Sequence, residues 1–189
     1  TGTPSGGEPF RLHGDNFVIA TGSYPFHPDG IPFDAESVHD SDTILNINRI
    51  PKSIVIVGAG VIGCEYATIF SAMGTKVHLV NNNSSILPFL DRDISEALVH
   101  EMKRSGVEIL FNCSIKTVEP IPVPPSHQDH PVDANASRVT TTLNDGTRLM
   151  TDMFLYAAGR NGGTNGLNLE KAGVAIGKRQ AITVDEHYR

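Results

Sequence analysis

The chain has 189 residues, 39% of them hydrophobic and 19% charged, with a formal net charge of −6; this is the balance of an ordinary globular protein with a sizeable core. No basic cluster is present, so neither nucleic acid nor an anionic membrane is an expected partner. The longest apolar run, Ile54 to Gly63, is far short of the ~20 residues of a membrane span.

In chain order, the first expected element is a short buried strand at "NFVIATG", Asn16 to Gly22. It runs into a proline-rich connection, where "SDTILNI" suggests one short helix capped by Ser41 or Asp42. Ile54 to Val57 then reads as a β-branched buried strand. Behind it Ile62, Tyr66, Ile69, Phe70 and Met73 recur at helical spacing, and Gly74 ends that helix. A second strand follows at Lys76–Val80. The next helix lies within "DRDISEALVHEMKRSG": Asp93 with Glu96 resembles a capping box, Ile94, Leu98 and Met102 share a face, and Gly106 is the stop. Val107–Phe111 is a third strand.

Beyond it the pattern changes. "SIKTV", "RVTTTL" and "TRLM" read as antiparallel strands, the last two joined by a turn at Asn144-Asp145-Gly146. A Pro-, His- and Asp-rich stretch between the first two is expected to be an exposed, mobile loop. "DMFLYAAGR" returns as a buried strand ending in a glycine turn, and a short helix with a weak strand closes the chain. The fold class is α/β: a Rossmann-like doubly wound parallel sheet with an antiparallel β-meander insertion.

Gly58, Gly60 and Gly63 fit G-x-G-x-x-G between a strand and a helix. Gly58 permits the tight turn, Gly60 lets the backbone approach a pyrophosphate, and Gly63 lets the helix pack closely on the strand. The helix N-terminus adds N–H groups and a positive dipole end for phosphates. In such units the second strand ends in Asp or Glu for NAD, or has Arg nearby for NADP. Here it ends in Asn81. A neutral amide can meet either a hydroxyl or a phosphate, which predicts weak discrimination between NAD(H) and NADP(H).

"GAGVIGCEYA", "ILPFLDRDI", "LYAAGR" and the earlier "VIATGSYP" occur in the order found in the flavin-dependent pyridine nucleotide-disulfide oxidoreductases. From Asn16 to Arg189 the chain resembles that family. "SDTIL", "VIGCEYATIF" and the Asn-terminated second strand are most similar to members that exchange hydride between nicotinamide dinucleotides. The resemblance implies that Gly58, Ala59, Gly60, Val61, Ile62 and Gly63 bind NAD(H) or NADP(H). It also implies that Glu65 lies near nicotinamide and flavin, that Asn81 reads the ribose, that Ile115 lines the adenine side, and that Gly159 turns close to the nucleotide. Val61 stands where some relatives carry a Tyr that covers the flavin. Residues 1–50 correspond to the end of a flavin-domain segment with its linker, and residues 51–189 to the NAD(P)(H)-binding domain.

The family's flavin-binding glycine turn, its CxxxxC redox pair, its later "GD" flavin motif and its dimerisation domain have no counterpart in these residues. The expectation is therefore a piece of a longer cytoplasmic flavoprotein, in which other segments supply FAD and dimerisation. Such a piece has no catalytic residue of its own and lacks turnover alone. Hydride transfer from NADPH to NAD through FAD is the expected reaction. A dihydrolipoamide dehydrogenase-type disulfide oxidoreductase and a stand-alone nucleotide-binding module are the alternatives. A short-chain dehydrogenase is disfavoured because no Tyr-x-x-x-Lys pair occurs.

Glu65 has a plainer reading as a surface residue in a first helical turn, and Arg160 as either a phosphate contact or a surface group. His127 and His130 read as solvated loop residues, with no metal site implied. Cys64 and Cys113 read as reduced, partly buried thiols.

Overall fold

A computed structural model describes residues 11–34, 36–121 and 138–189. Of these, the residues up to Ser23 together with Gly162–Arg189 form one compact unit, and Tyr24–Asn161 form the other. The chain passes between units within β1 (Ser23–Pro25) and again within β10 (Arg160–Gly162). Among the described residues no helix is long and apolar enough to cross a membrane.

The larger unit is built on a five-stranded parallel sheet. Its strands are β2 (Val38–Asp40), β3 (Ser53–Val57), β4 (Lys76–Val80), β5 (Glu108–Leu110) and β9 (Met153–Tyr156), in the order β2-β9-β3-β4-β5. Helices α1 (Val61–Ala72) and α2 (Arg92–Arg104) connect β3 to β4 and β4 to β5. Strands β6 (Ile115–Pro120), β7 (Val139–Leu143) and β8 (Arg148–Thr151) form a separate antiparallel meander. The expected α/β fold with its meander is therefore present.

Alternation along β3 explains the layering, because successive strand side chains point to opposite faces. Ile54 and Ile56 join Ala67 and Phe70 of α1 and Met102 of α2 in one core. Val55 points the other way, into a second core with Val139 and Leu143 of the meander and Phe154 of β9. Both helices thus share one face of the sheet and the meander covers the other. Each β3 side chain named here is fully buried, at 0% exposure, which at roughly 1.5–3 kcal/mol per buried aliphatic side chain makes this strand the spine of the unit.

The capping signals are only partly realised. Gly74 and Gly106 have φ of +82° and +97°, the left-handed conformation expected just past a helix end. Asp93 and Glu96 do not form a capping box. Asp91 is the N-cap, its side chain makes no cap bond, and Glu96 instead accepts from Arg92 Nε at 2.6 Å. Ile94 is 57% exposed, while Ser95 and Met102 are the buried residues of α2. The predicted helix at "SDTILNI" is a single 3-10 turn, Thr43–Asn46. Asp42, one of the two expected caps, is its N-cap residue but makes no side-chain cap bond; Asp40 Oδ1 instead accepts from the backbone N–H of Asp42 at 2.9 Å and of Thr43 at 2.7 Å.

Two strand readings need correction. Val38–Asp40, read as connecting chain, is the buried edge strand β2, paired in parallel with β9 from Val38↔Phe154 to Asp40↔Tyr156. Asp34 sets it up: Oδ1 accepts the N–H groups of Glu36, Ser37 and Val38, each at 2.8 Å. Asn16–Gly22, read as a buried strand, is exposed and joins no ladder, with Phe17 at 73% and Val18 at 92% exposure. An apolar run becomes a strand only where neighbouring strands accept it, and the described residues provide none. The Pro-, His- and Asp-rich loop falls almost wholly on 122–137, outside the described residues, with His127 and His130.

The smaller unit is held by local turns. Gly163 N–H donates to Gly22 O at 2.8 Å, Thr164 Oγ1 donates to Gln180 O at 2.9 Å, and a 3-10 turn spans Leu169–Ala172. The expected weak terminal strand is reduced to one bridge, Ile176 to Ile182.

His39 of β2 is 1% exposed, and neither ring nitrogen finds a hydrogen-bond acceptor or donor of standard geometry among the described residues. Burial lowers its pKa below the ordinary imidazole value. The Glu36 backbone and the charges of Asp34 and Asp40 oppose that shift, and Arg49 adds to it. The unfolded chain therefore takes up this proton first. His39 adds no protonation cost at neutral pH, and stability falls as pH drops below about 6.5 towards the depressed folded value. Burial also lowers His78, against the opposing charge of Glu108. We expect His39→Phe to reduce, without abolishing, the loss of melting temperature between pH 7.5 and pH 5.5. An unchanged pH dependence would show that His39 is not the acid-sensitive group.

Candidate functional site

The site begins where β3 ends. Val57 passes into Gly58, whose φ is +100°, a conformation L side chains rarely adopt. A Cβ there would stand 2.8 Å from Ala158 Cα, so the Ala157–Gly159 segment closes directly over the turn. Gly63 meets the other constraint: a Cβ on it would collide with the Gly58 carbonyl, and its absence lets α1 lie against its own strand. Gly60 differs from both. Its φ is −79°, and a Cβ would meet nothing within 4 Å. Space, and not backbone conformation, is what that position keeps open.

Gly60 is also the N-cap of α1, and it brings no capping side chain. The first turn of the helix therefore presents N–H groups with no side-chain oxygen over them, at the positive end of the helix dipole. Such an end is chemically suited to a phosphate or another oxyanion.

A cavity of about 290 Å³ opens beside this turn, at the small end of the roughly 300–1,000 Å³ usual for ligand pockets. Its wall includes Val57 at the end of β3 with Gly58 beyond it, Val80 at the end of β4 with Asn82 in the loop after it, Ile115 and its neighbours at the start of β6, and Tyr156 at the end of β9 with Ala158 beyond it. The predicted Gly58 and Ile115 thus come together although 57 positions separate them. Gly159 follows Ala158 with φ +128°, and its carbonyl accepts the Phe26 N–H at 3.0 Å. Ala59 and Gly63 are buried, while Ile62 packs partly buried on the helical core.

Val61 and Glu65 lie elsewhere. They line a separate shallow groove on α1 with Thr68, Ile69 and Leu98. Val61 is 50% exposed. Cys64, on the same groove, has its thiol pushed up to about 11 by burial and by the charge of Glu65, so it stays protonated. It and Cys113 are free cysteines. Arg160 is engaged: Nη1 donates to Asp42 Oδ1 at 2.7 Å and to Ser41 Oγ at 3.0 Å. Among the described residues, no group of three or more His, Cys, Asp or Glu is placed to hold a metal.

Asn81, expected to read the ribose, is turned inward in this structure. Asn81 is 6% exposed, and its Nδ2 donates to Ser85 O at 2.8 Å and Asn83 O at 3.3 Å. The side chain closes its own loop and does not line the cavity. Asn82, which the sequence reading passed over, does line it, as do Lys116, Tyr156 and Ala158.

Residues 2–189 match the family model described as pyridine nucleotide-disulphide oxidoreductase. The chain belongs to that family. It is 41% identical over 187 residues to the soluble pyridine nucleotide transhydrogenase of Pseudomonas aeruginosa (strain LESB58), covering 99% of this chain and 37% of that protein. The protein of the same name from Stutzerimonas stutzeri (strain A1501) is 40% identical over 179 residues, covering 95% of this chain and 36% of its own length. The chain thus spans little more than a third of the curated relatives it matches. Among solved structures, it resembles the HOCl-induced flavoprotein disulfide reductase RclA from Escherichia coli, with TM-score 0.75 and 30% identity over 92% of this chain and 37% of that one. It also resembles LpdA (Rv3303c) from Mycobacterium tuberculosis, with TM-score 0.73 and 25% identity over 87% and 33%.

The inward turn of Asn81 has a direct test. Asn81→Ala removes two amide hydrogen bonds and is expected to cost about 1 kcal/mol. Asn81→Asp places a buried carboxylate against the carbonyls of Asn83 and Ser85, and is expected to cost about 2–3 kcal/mol. Thermal melts of the two variants check the order. Equal or greater stability of the Asp variant would mean that the side chain faces outward.

Proposed function

We propose that this chain is the nicotinamide-dinucleotide-binding part of a longer flavoprotein, one that moves hydride from NADPH to NAD by way of FAD. The observation that carries the reading is the Gly58–Gly63 turn, with its open space at Gly60 and its helix end free of a capping side chain. Those features fit a pyrophosphate, whose oxygens take N–H donors and whose bulk needs the room a Cβ would occupy. The names of the curated relatives support transhydrogenation in particular. FAD, held mostly by the rest of the protein, supplies the hydride-accepting and hydride-donating chemistry.

This chain's residues bind and orient. Backbone N–H groups at the start of α1, from Val61 to Gly63, hold the pyrophosphate. Gly58 and Gly159 shape the turn around it, Ala59 and Ile62 fix that turn to the core, and Ile115 borders the adenine side. Val61 and Glu65, on the outer groove of α1, face the nicotinamide and flavin. A small Val61 leaves that approach uncovered, which suits a protein whose nucleotides must each enter and leave. Residues 1–50 continue the flavin-domain segment and linker, and residues 51–189 form the nucleotide domain. The remaining partners are the FAD and dimerisation domains of the same protein, a cytoplasmic homo-oligomer.

A second reading, reduction or oxidation of a disulfide substrate through the same cofactors, is favoured by the likeness to a flavoprotein disulfide reductase. The two separate on the full-length protein loaded with FAD. We expect NADPH to reduce thio-NAD at least tenfold faster than dihydrolipoamide reduces NAD. The reverse ratio would move the protein to the second reading. In the same assay Gly60→Ala is expected to raise the KM for nucleotide at least tenfold while costing about 1 kcal/mol of stability or less, the scale of an N-cap change. An unchanged KM would place the pyrophosphate elsewhere.

A further inference from the structure

We propose that a second, polar cavity binds a small tetrahedral oxyanion of the sulfate or phosphate type, held by Arg49 and His39. This goes beyond the dinucleotide reading and does not depend on it. The cavity has a volume of about 220 Å³ and is lined by Glu36, His39, Asn46, Asn48, Arg49 and Arg138. Met153, where β9 begins, also lines it, so it lies at the other end of β9 from the glycine turn. None of these residues borders the cavity beside Gly58. Its volume is below the roughly 300–1,000 Å³ of ordinary ligand pockets, which suits a small ion and not a nucleotide.

Two buried side chains carry the inference. Arg49 Nη1 donates to Asp152 Oδ2 at 3.0 Å, while its Nη2 is buried without a hydrogen-bond partner among the described residues. His39 is 1% exposed, and both its ring nitrogens are likewise without one. Buried polar atoms are nearly always bonded, and leaving them unbonded is costly, so two such groups on one polar cavity mark a place for a ligand. The neighbouring carboxylates are engaged elsewhere. Asp34 Oδ1 takes three backbone N–H groups, and Asp40 Oδ2 bonds His27 Nε2 at 2.6 Å. Asp152 Oδ2 is shared by Arg49 Nη1 and the Lys52 N–H. Among the described residues lining the cavity, Glu36 is the one carboxylate, and it is exposed.

The donor set selects the ligand. A guanidinium has N–H donors and no acceptor, in a planar fork that matches the oxygens of an oxyanion. The Asn46 and Asn48 amides add neutral donors, and Arg138 adds a second positive charge to the lining. An anion there would tie β2 and the loop before β3 to the entry of β7. His39 couples this binding to pH. Burial and the charge of Arg49 lower its pKa, against the Glu36 backbone and the charges of Asp34 and Asp40. The other charged groups nearby are Glu36 and Arg138 on the same cavity and Asp152, bonded to Arg49. Of these side-chain types only histidine ordinarily titrates near neutrality. A bound dianion favours the imidazolium, which donates from both nitrogens. The anion thus raises the His39 pKa, and by linkage it binds more tightly as pH falls.

The test titrates the full-length protein, loaded with FAD, with sodium sulfate against sodium chloride of equal ionic strength. Melting temperature and sulfate affinity are followed by calorimetry at pH 5.5 and pH 7.5, a range in which sulfate keeps both charges. We expect a saturable rise in melting temperature, with sulfate bound about three- to tenfold more tightly at the lower pH. Arg49→Lys, which removes Nη2, should weaken sulfate about tenfold or more at both pH values. His39→Phe and His39→Gln should each abolish the pH dependence, with the Gln variant keeping more of the affinity through its amide donor. Gly60→Ala, on the other cavity, should leave sulfate affinity unchanged. Absence of a saturable sulfate effect would overturn the site, as would one lost in Gly60→Ala and kept in Arg49→Lys. Either result leaves the dinucleotide reading standing.

Discussion

Everything at the proposed site depends on how closely α1 approaches the strand it follows. The helix begins against the carbonyl of Gly58, at a distance that forbids a Cβ on Gly63, and a Cβ on Gly58 would itself stand only 2.8 Å from Ala158 Cα. Three backbone segments therefore meet with almost no side-chain volume between them. That contact fixes the direction of the helix axis, and so fixes where its unsatisfied N–H groups point. A looser crossing would leave the same residues in the same order with no shaped recess for a phosphate.

The sheet order makes that meeting possible. β9 comes almost a hundred residues after β3, yet lies beside it, between β3 and β2. Its continuation, Ala157–Gly159, thereby lands on the glycine turn. The parallel arrangement sends the C-terminal ends of β3, β4 and β9 to one edge, which is where ligands bind in open α/β sheets. Asp152 secures the opposite end of β9: Oδ2 accepts from Arg49 Nη1 at 3.0 Å and from Lys52 N–H at 2.9 Å. Burial on both faces of the central strands stiffens the frame, while the loops beyond the strands remain accessible.

Local physics was legible in the sequence, and long-range pairing was not. The glycine turn, the helix stops at Gly74 and Gly106, and the Asn144–Gly146 hairpin are set by residues within a few positions of one another, and all are realised. β2 was invisible because three residues containing His and Asp carry no strand pattern; its burial comes from β9, more than a hundred positions away. Asn16–Gly22 fails the opposite way, having the composition of a buried strand without described neighbours to bury it. At the site, the glycines were readable because each answers a steric demand. The inward turn of Asn81 was not readable because its partners are backbone carbonyls, which no residue type announces. Lys116 was missed because its relevance arises only when the meander is folded against the end of β4.

The most direct test of the central claim is the position of a bound nucleotide. A crystal structure of the full-length protein with NADH should show the pyrophosphate at the N-terminus of α1, within hydrogen-bonding distance of backbone N–H groups in the Val61–Gly63 turn and above the open face of Gly60. Ordered nucleotide elsewhere, with the recess between Gly58 and Ala158 left untouched, would contradict the account.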